Sequence, residues 1–217
     1  MRNLISSLRI SVHSLKSVDY RLFSTLLILA LIPAIYTTVR IHFLGDMPSD
    51  WGFNIASQLT WVNVSYEVVQ EAIILPLFYL MGKSLLDKRD LENKIQSGLI
   101  VTAAIYLVMS LILILFARPF VEFMSQKSEL VSATVTYIRI ETIASLFSTL
   151  VQFLLLVLII IKKKTYLIVI LLVQMVFTIT LDTFFISTLS FSLDMGVNGI
   201  AYSNIIVNVS LVALALF

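Results

Sequence analysis

The feature that most constrains this chain is a set of long, unbroken apolar blocks. Six can be drawn, at about 22–43, 55–82, 97–117, 137–161, 165–187 and 196–217. A helix crosses the ~30 Å hydrocarbon core of a bilayer with roughly 20 apolar residues. Runs such as Leu154-Leu155-Leu156-Val157-Leu158-Ile159-Ile160-Ile161 lack the two-residue alternation of a membrane-barrel strand. In lipid, such blocks satisfy their backbone polar groups internally, as helices. Only 13% of the residues are charged, against about a quarter in soluble domains. The expected fold class is therefore an all-α membrane protein with six transmembrane helices.

Charge between the blocks sets the expected orientation. Arg2, Arg9, Lys16 and Arg21 precede the first block, Lys83, Lys88, Arg89 and Lys94 follow the second, and Lys162-Lys163-Lys164 follow the fourth. The alternate connections are poor in lysine and arginine: 45–50 has none, and 118–130 has Arg118 and Lys127. The positive-inside rule then places both termini in the cytoplasm. Within residues 1–21, Leu4, Ile5, Leu8, Val12 and Leu15 share a helical face, with the basic residues largely elsewhere. That pattern predicts a cytoplasmic interfacial amphipathic segment rather than a cleavable signal peptide. Residues 22–217 are then the six-helix transmembrane lobe. The last block ends at Ala213-Leu214-Ala215-Leu216-Phe217 without a basic anchor, which predicts that the chain belongs to something longer or needs a partner.

Polar side chains at bilayer depth are costly, so each marks a candidate site. The second span carries Thr60, Asn63, Glu67, Gln70 and Glu71 at helical spacing. Two desolvated carboxylates one turn apart cannot both ionise easily, which suits proton binding. The alternative is that Glu67 and Glu71 are protonated packing groups. The fourth span carries Glu141, Ser145, Ser148, Thr149 and Gln152; the fifth Gln174, Thr178 and Asp182; the sixth Asn204 and Asn208. Small hydroxyl residues on such stripes commonly serve helix packing. Acids are not needed for packing, so Asp182 and Glu141 call for another explanation. Arg40 lies near the end of the first span at the same expected depth. It either snorkels to the outer surface or pairs with Asp182 or Glu141. Pro33 and Pro76 interrupt the first two spans and are candidate hinges.

Several classes of chemistry are excluded. There is no GxxxxGK[ST] nucleotide loop and no GxSxG elbow, and His13 and His42 lack metal-ligand spacing. No cysteine is present, so there is neither a disulfide nor a thiolate metal site. The net charge of +2 supplies no clustered basic surface for nucleic acid. An enzyme is not expected, nor is a cofactor or a bound metal.

Several stretches resemble a known family, the multidrug and toxic compound extrusion (MATE) transporters. Tyr36-Thr37-Thr38-Val39-Arg40-Ile41-His42-Phe43-Leu44-Gly45 resembles the Y-N-x-V-D-x-x-x-x-G that ends their first helix. Gly82-Lys83-Ser84-Leu85-Leu86-Asp87-Lys88-Arg89-Asp90 resembles the G-x-G-D segment after their second helix. Tyr137-Ile138-Arg139-Ile140 is similar to the Y-L-R-I that opens the fourth. Leu181-Asp182 with Phe184-Phe185-Ile186 is similar to the L-D-P-x-F-I of the fifth, and Gly196-Val197-Asn198-Gly199-Ile200-Ala201 to the G-V-x-G-A-A that opens the sixth. The matches run in family order over nearly the whole chain.

The resemblance implies the N-terminal six-helix lobe of a MATE-like transporter of the MOP superfamily. Such a transporter works by alternating access between two lobes and exports cationic or amphipathic small molecules by antiport with Na⁺ or H⁺. In the family, an Asp on the first helix and one on the fifth shape a cation site. The fifth-helix acid is present as Asp182, with Thr178 one turn earlier where Asn is common, but the first-helix acid falls on Arg40. A guanidinium there takes the electrostatic place of a mobile cation, so coupling is expected to fall to Glu67, Glu71 or Glu141 as well as Asp182. Asn63, Gln70, Gln174, Thr178 and Asn204 are then the expected cavity lining. The expected partners are membrane lipid, an amphipathic cargo and a second six-helix lobe, as a homodimer or as a missing C-terminal half. The expected location is a bacterial or archaeal plasma membrane. The alternatives are a lipid-linked glycan flippase of the same superfamily and a non-transporting membrane scaffold or subunit.

Overall fold

A computed structural model describes residues 20–45 and 51–216. The amphipathic face expected over residues 1–19 lies outside them. Among the described residues every regular element is helical: α1 Tyr20–Gly45, α2 Trp51–Ser57, α3 Thr60–Gly82, α4 Lys88–Phe123, α5 Val131–Ile160, α6 Lys164–Ile186 and α7 Val197–Leu216. Five helical stretches, beginning with Asn54–Gly82 and continuing through α4, α5, α6 and α7, are long and apolar enough to cross a membrane. Helix α1 adds 26 residues, a length of about 39 Å at 1.5 Å per residue.

The elements depart from the apolar blocks in two places. The block at 55–82 is broken at Gln58 and Leu59, whose amides bond three residues back, to Ile55 and Ala56. The chain thus enters this span through the short α2 before α3 begins. Helix α4 is far longer than the block at 97–117. Asp87 caps it by accepting from the amides of Arg89 and Asp90, so it starts within the basic connection and runs for 36 residues. Apolarity marked only the stretch that lipid demands, whereas the cap and helix-forming side chains carry the helix past both edges.

Helix α5 is the hub. It packs most extensively against α7 and α4 and also touches α2, α3 and α6, while α1 packs against α6. The largest apolar core surrounds Val62, Tyr106, Ile138 and Ala201. A second, around Met81, Phe153 and Ile160, lies toward the end bearing Lys162-Lys163-Lys164. Lipid tails are as apolar as leucine, so close packing rather than water exclusion favours these contacts. Gly98 illustrates this: a β-carbon there would lie 3.0 Å from Phe153 Cζ. Gly98→Ala gains about 0.5–1 kcal/mol of helix preference but makes that ring shift by tenths of an ångström. The net change in thermal stability in detergent is expected to stay within about 1 kcal/mol.

Candidate functional site

Helix α1 carries Tyr36 and Arg40 one turn apart, and α6 carries Gln174, Thr178 and Asp182 at four-residue intervals, so each set occupies one helical face. Packing of α1 on α6 brings Arg40 onto Asp182. Arg40 Nε donates to Asp182 Oδ2 at 2.7 Å, and Arg40 Nη2 donates to Oδ1 at 3.0 Å. This two-pronged contact is the strong geometry for an arginine and a carboxylate. Asp182 is 1% exposed and the Arg40 side chain 17%. Arg40 is therefore engaged within the lobe rather than extended to its surface.

Glu141 occupies the same interior and is 7% exposed. Its Oε1 accepts from Asn204 Nδ2 at 2.7 Å, across the α5–α7 interface. Its Oε2 is buried and has no hydrogen-bond partner among the described residues. One turn along α7, Asn208 donates to the Ala144 carbonyl at 3.3 Å. These residues line a cavity of about 190 Å³ together with Tyr36, Arg40, Asn63, Ser145, Ser148, Gln174 and Thr178. The lining carries one cation, Arg40, whose charge is answered by Asp182 behind it. Glu141 is the remaining acid.

A second polar cavity, about 150 Å³, adjoins the first and shares Asn63, Ser145 and Ser148 with it. Glu67 and Gln70 line it from α3, and Thr149 and Gln152 from α5. The Thr149 hydroxyl donates to the Ser145 carbonyl at 2.9 Å, and the hydroxyl residues common to both cavities are Ser145 and Ser148. Glu67 and Glu71 are both exposed on the surface of the lobe and are not buried between its helices. Glu67 faces the second cavity; Glu71 lines neither. The physical reason is position: α3 packs against α4 and α5 through Val62, Tyr66, Ile74 and Met81, and neither carboxylate is on that buried face. Helices α1 and α3 run through Pro33 and Pro76 as continuous helix.

One polar cluster was not anticipated. Tyr66 and Ser110 share a hydrogen bond of 2.6 Å, and the Tyr106 hydroxyl donates to the Tyr66 carbonyl at 3.2 Å, joining α3 to α4. The signal was present in α4, where the buried Gly98, Thr102, Tyr106 and Ser110 recur every fourth residue. That spacing lays small and polar groups along one stripe, the pattern by which membrane helices approach closely.

Two solved structures match this arrangement: a MATE transporter crystallised in complex with MaD3S, and a proline-to-alanine mutant of MATE. Both superpose with a TM-score of 0.79 over 90% of this chain, at 15% and 16% sequence identity. The chain folds as one lobe of a MATE transporter. It spans 44% and 43% of the lengths of those two chains. No protein-family model matches the sequence, and no curated protein does. The MATE lobe fold and the five long apolar helices make this an integral membrane protein. In that fold Arg40 and Asp182 sit on the first and fifth membrane helices, and Glu141 and Asn204 on the fourth and sixth.

Proposed function

We propose that the chain is one lobe of a secondary active transporter that exports amphipathic or cationic small molecules by antiport with H⁺ or Na⁺. Alternating access then takes place between this lobe and a second one, either another copy or a C-terminal half of the same polypeptide. The observation that carries this reading is the pair of adjoining polar cavities bearing Glu141 and Glu67 inside a MATE lobe. Acids retained at such depth are costly, and transporters keep them for ion coupling. Arg40 serves as a fixed counter-ion to Asp182, and coupling passes to Glu141, with Glu67 nearest the open side. Glu71 is a weaker coupling site because it lines neither cavity. Pro33 and Pro76 act as bending points when the lobe changes state. The charge pattern supports cytoplasmic termini, and the reading assigns the chain to a bacterial or archaeal plasma membrane.

A cationic cargo is favoured over an anionic lipid-linked glycan, because among the described residues the one cation lining these cavities, Arg40, is already paired. The test is efflux of a fluorescent lipophilic cation from proteoliposomes under an imposed pH or Na⁺ gradient. Efflux driven by one gradient, lost on collapsing it, is the expected result. An assembly with two lobes in detergent that moves no cation under either gradient overturns the reading.

A further inference from the structure

The acids of the lobe differ in what holds them, and the difference assigns a role. Asp182 has both oxygens occupied by Arg40. Glu141 has Oε1 bonded to Asn204 and Oε2 buried without a donor. The cavity is lined by Glu141 and by Arg40, and Arg40 is already held by Asp182, so the charge of Glu141 has no cation of its own among the described residues. A buried polar atom without a partner is costly, and more so when it is charged. A metal cation takes several oxygen ligands, whereas Oε2 is a single buried oxygen. A proton needs one lone pair and no extra space.

A line of polar side chains also leads toward Glu141. Glu141, Ser145 and Ser148 follow one face of α5 over about 10 Å, at 1.5 Å per residue. Ser145, Ser148 and Asn63 line both polar cavities, and Glu67 lines the one farther from Arg40 and is exposed. The charged and titratable groups facing Glu141 are Arg40 and Tyr36 on α1, Tyr137 on its own helix and Asp182 on α6. Helix α7 presents the amides of Asn204 and Asn208, and α3 that of Asn63.

We propose that Glu141 Oε2 is the proton-binding atom of this lobe, and that protons reach it from Glu67 along Asn63, Ser148 and Ser145. Glu67 takes a proton from water and releases it to hydroxyls and water in the cavities; the proton that arrives on Oε2 neutralises the unanswered charge. Asp182 anchors Arg40 through both of its oxygens. The inference deepens the transporter reading and rests on it for its purpose, yet proton uptake is measurable without transport.

The experiment is infrared difference spectroscopy of the full chain in lipid nanodiscs, following the protonated-carboxyl band through a pH titration in H₂O and D₂O. The wild type is expected to show a titrating band that is unaffected by Na⁺ and absent in Glu141→Gln. Glu67→Gln retains the band at equilibrium, but its appearance after a pH jump slows by about tenfold or more. Should Glu141→Gln fold poorly, Asn204→Leu keeps the acid while removing its donor, and the band is expected to shift in frequency and midpoint. A wild type with no such band, a band that survives in Glu141→Gln or ignores Asn204→Leu, or one that Na⁺ suppresses, overturns the assignment of Glu141. A wild-type rate in Glu67→Gln overturns the route. A band that behaves as expected in a protein that moves no cargo supports this inference and sinks the transporter reading instead.

Discussion

Replacing Arg40 with alanine is expected to destabilise the bundle by about 3–5 kcal/mol, the range for removing one partner of a buried ion pair. The variant leaves Asp182, 1% exposed, with neither of its two donors, and leaves Glu141 beside it in a cavity with no remaining cation. Asp182→Ala should cost distinctly less, because Glu141 remains as an acid within the field of Arg40. The asymmetry separates this account from a simple pairwise contact, in which both losses are equal. Unfolding in detergent micelles, followed by helical circular dichroism, measures it. The Arg40→Ala protein should also regain stability as pH falls or Na⁺ is added, since either supplies the missing positive charge. Replacing both partners together, as Arg40→Met with Asp182→Leu, should recover most of the loss. A single Arg40→Ala change within about 1 kcal/mol of wild type removes the ion pair from the list of structural supports.

The second large effect is expected at Gly199. A β-carbon there would lie 2.5 Å from Ile186 Cγ2, 3.0 Å from the Phe185 carbonyl oxygen and 3.1 Å from Phe185 Cβ. Unlike the phenyl ring beside Gly98, a backbone carbonyl cannot turn aside. The first turn of α7 would have to move off the end of α6, and overpacking of this kind costs about 1–3 kcal/mol. Gly199→Ala should therefore lower the unfolding temperature clearly, while Gly98→Ala hardly changes it. Equal effects at the two sites contradict the geometry. The consequence reaches the site, because α6 ends four residues after Asp182 and α7 carries Asn204 five residues after Gly199. Nearby, Gly196 has φ +56°, a left-handed conformation that side chains disfavour. The two glycines of Gly196-Val197-Asn198-Gly199 thus do different work: one turns the chain and the other admits a close neighbour.

The sites differ in how plainly they could be read from the chain alone. Arg40 and Asp182 stood out because charge inside an apolar block has few structural excuses, and Glu141 stood out for the same reason. The choice among Asp182, Glu141 and the surface as the destination of Arg40 stayed open. Glu67 and Glu71 looked equivalent, since helical spacing places both on one stripe. Their difference depends on which neighbours α3 has, and only Glu67 meets the polar side of α5. The Tyr66, Tyr106 and Ser110 cluster was passed over because hydroxyls on a membrane helix are common enough to hide a specific contact.

By itself the sequence determined that this chain is a set of membrane helices with acids held at depth. That information is local: bilayer thickness sets how many apolar residues a span needs, and unpaired backbone groups in lipid leave few alternatives to a helix. Only the tertiary structure decided which acid is paired and which is left over. The Arg40 to Asp182 contact joins residues 142 positions apart, and Asn204 reaches Glu141 across 63. Such meetings depend on how helices pack against one another, where steric fit and not hydropathy decides. One carboxylate therefore has a fixed partner, and the other keeps a bare oxygen within the polar interior of the lobe.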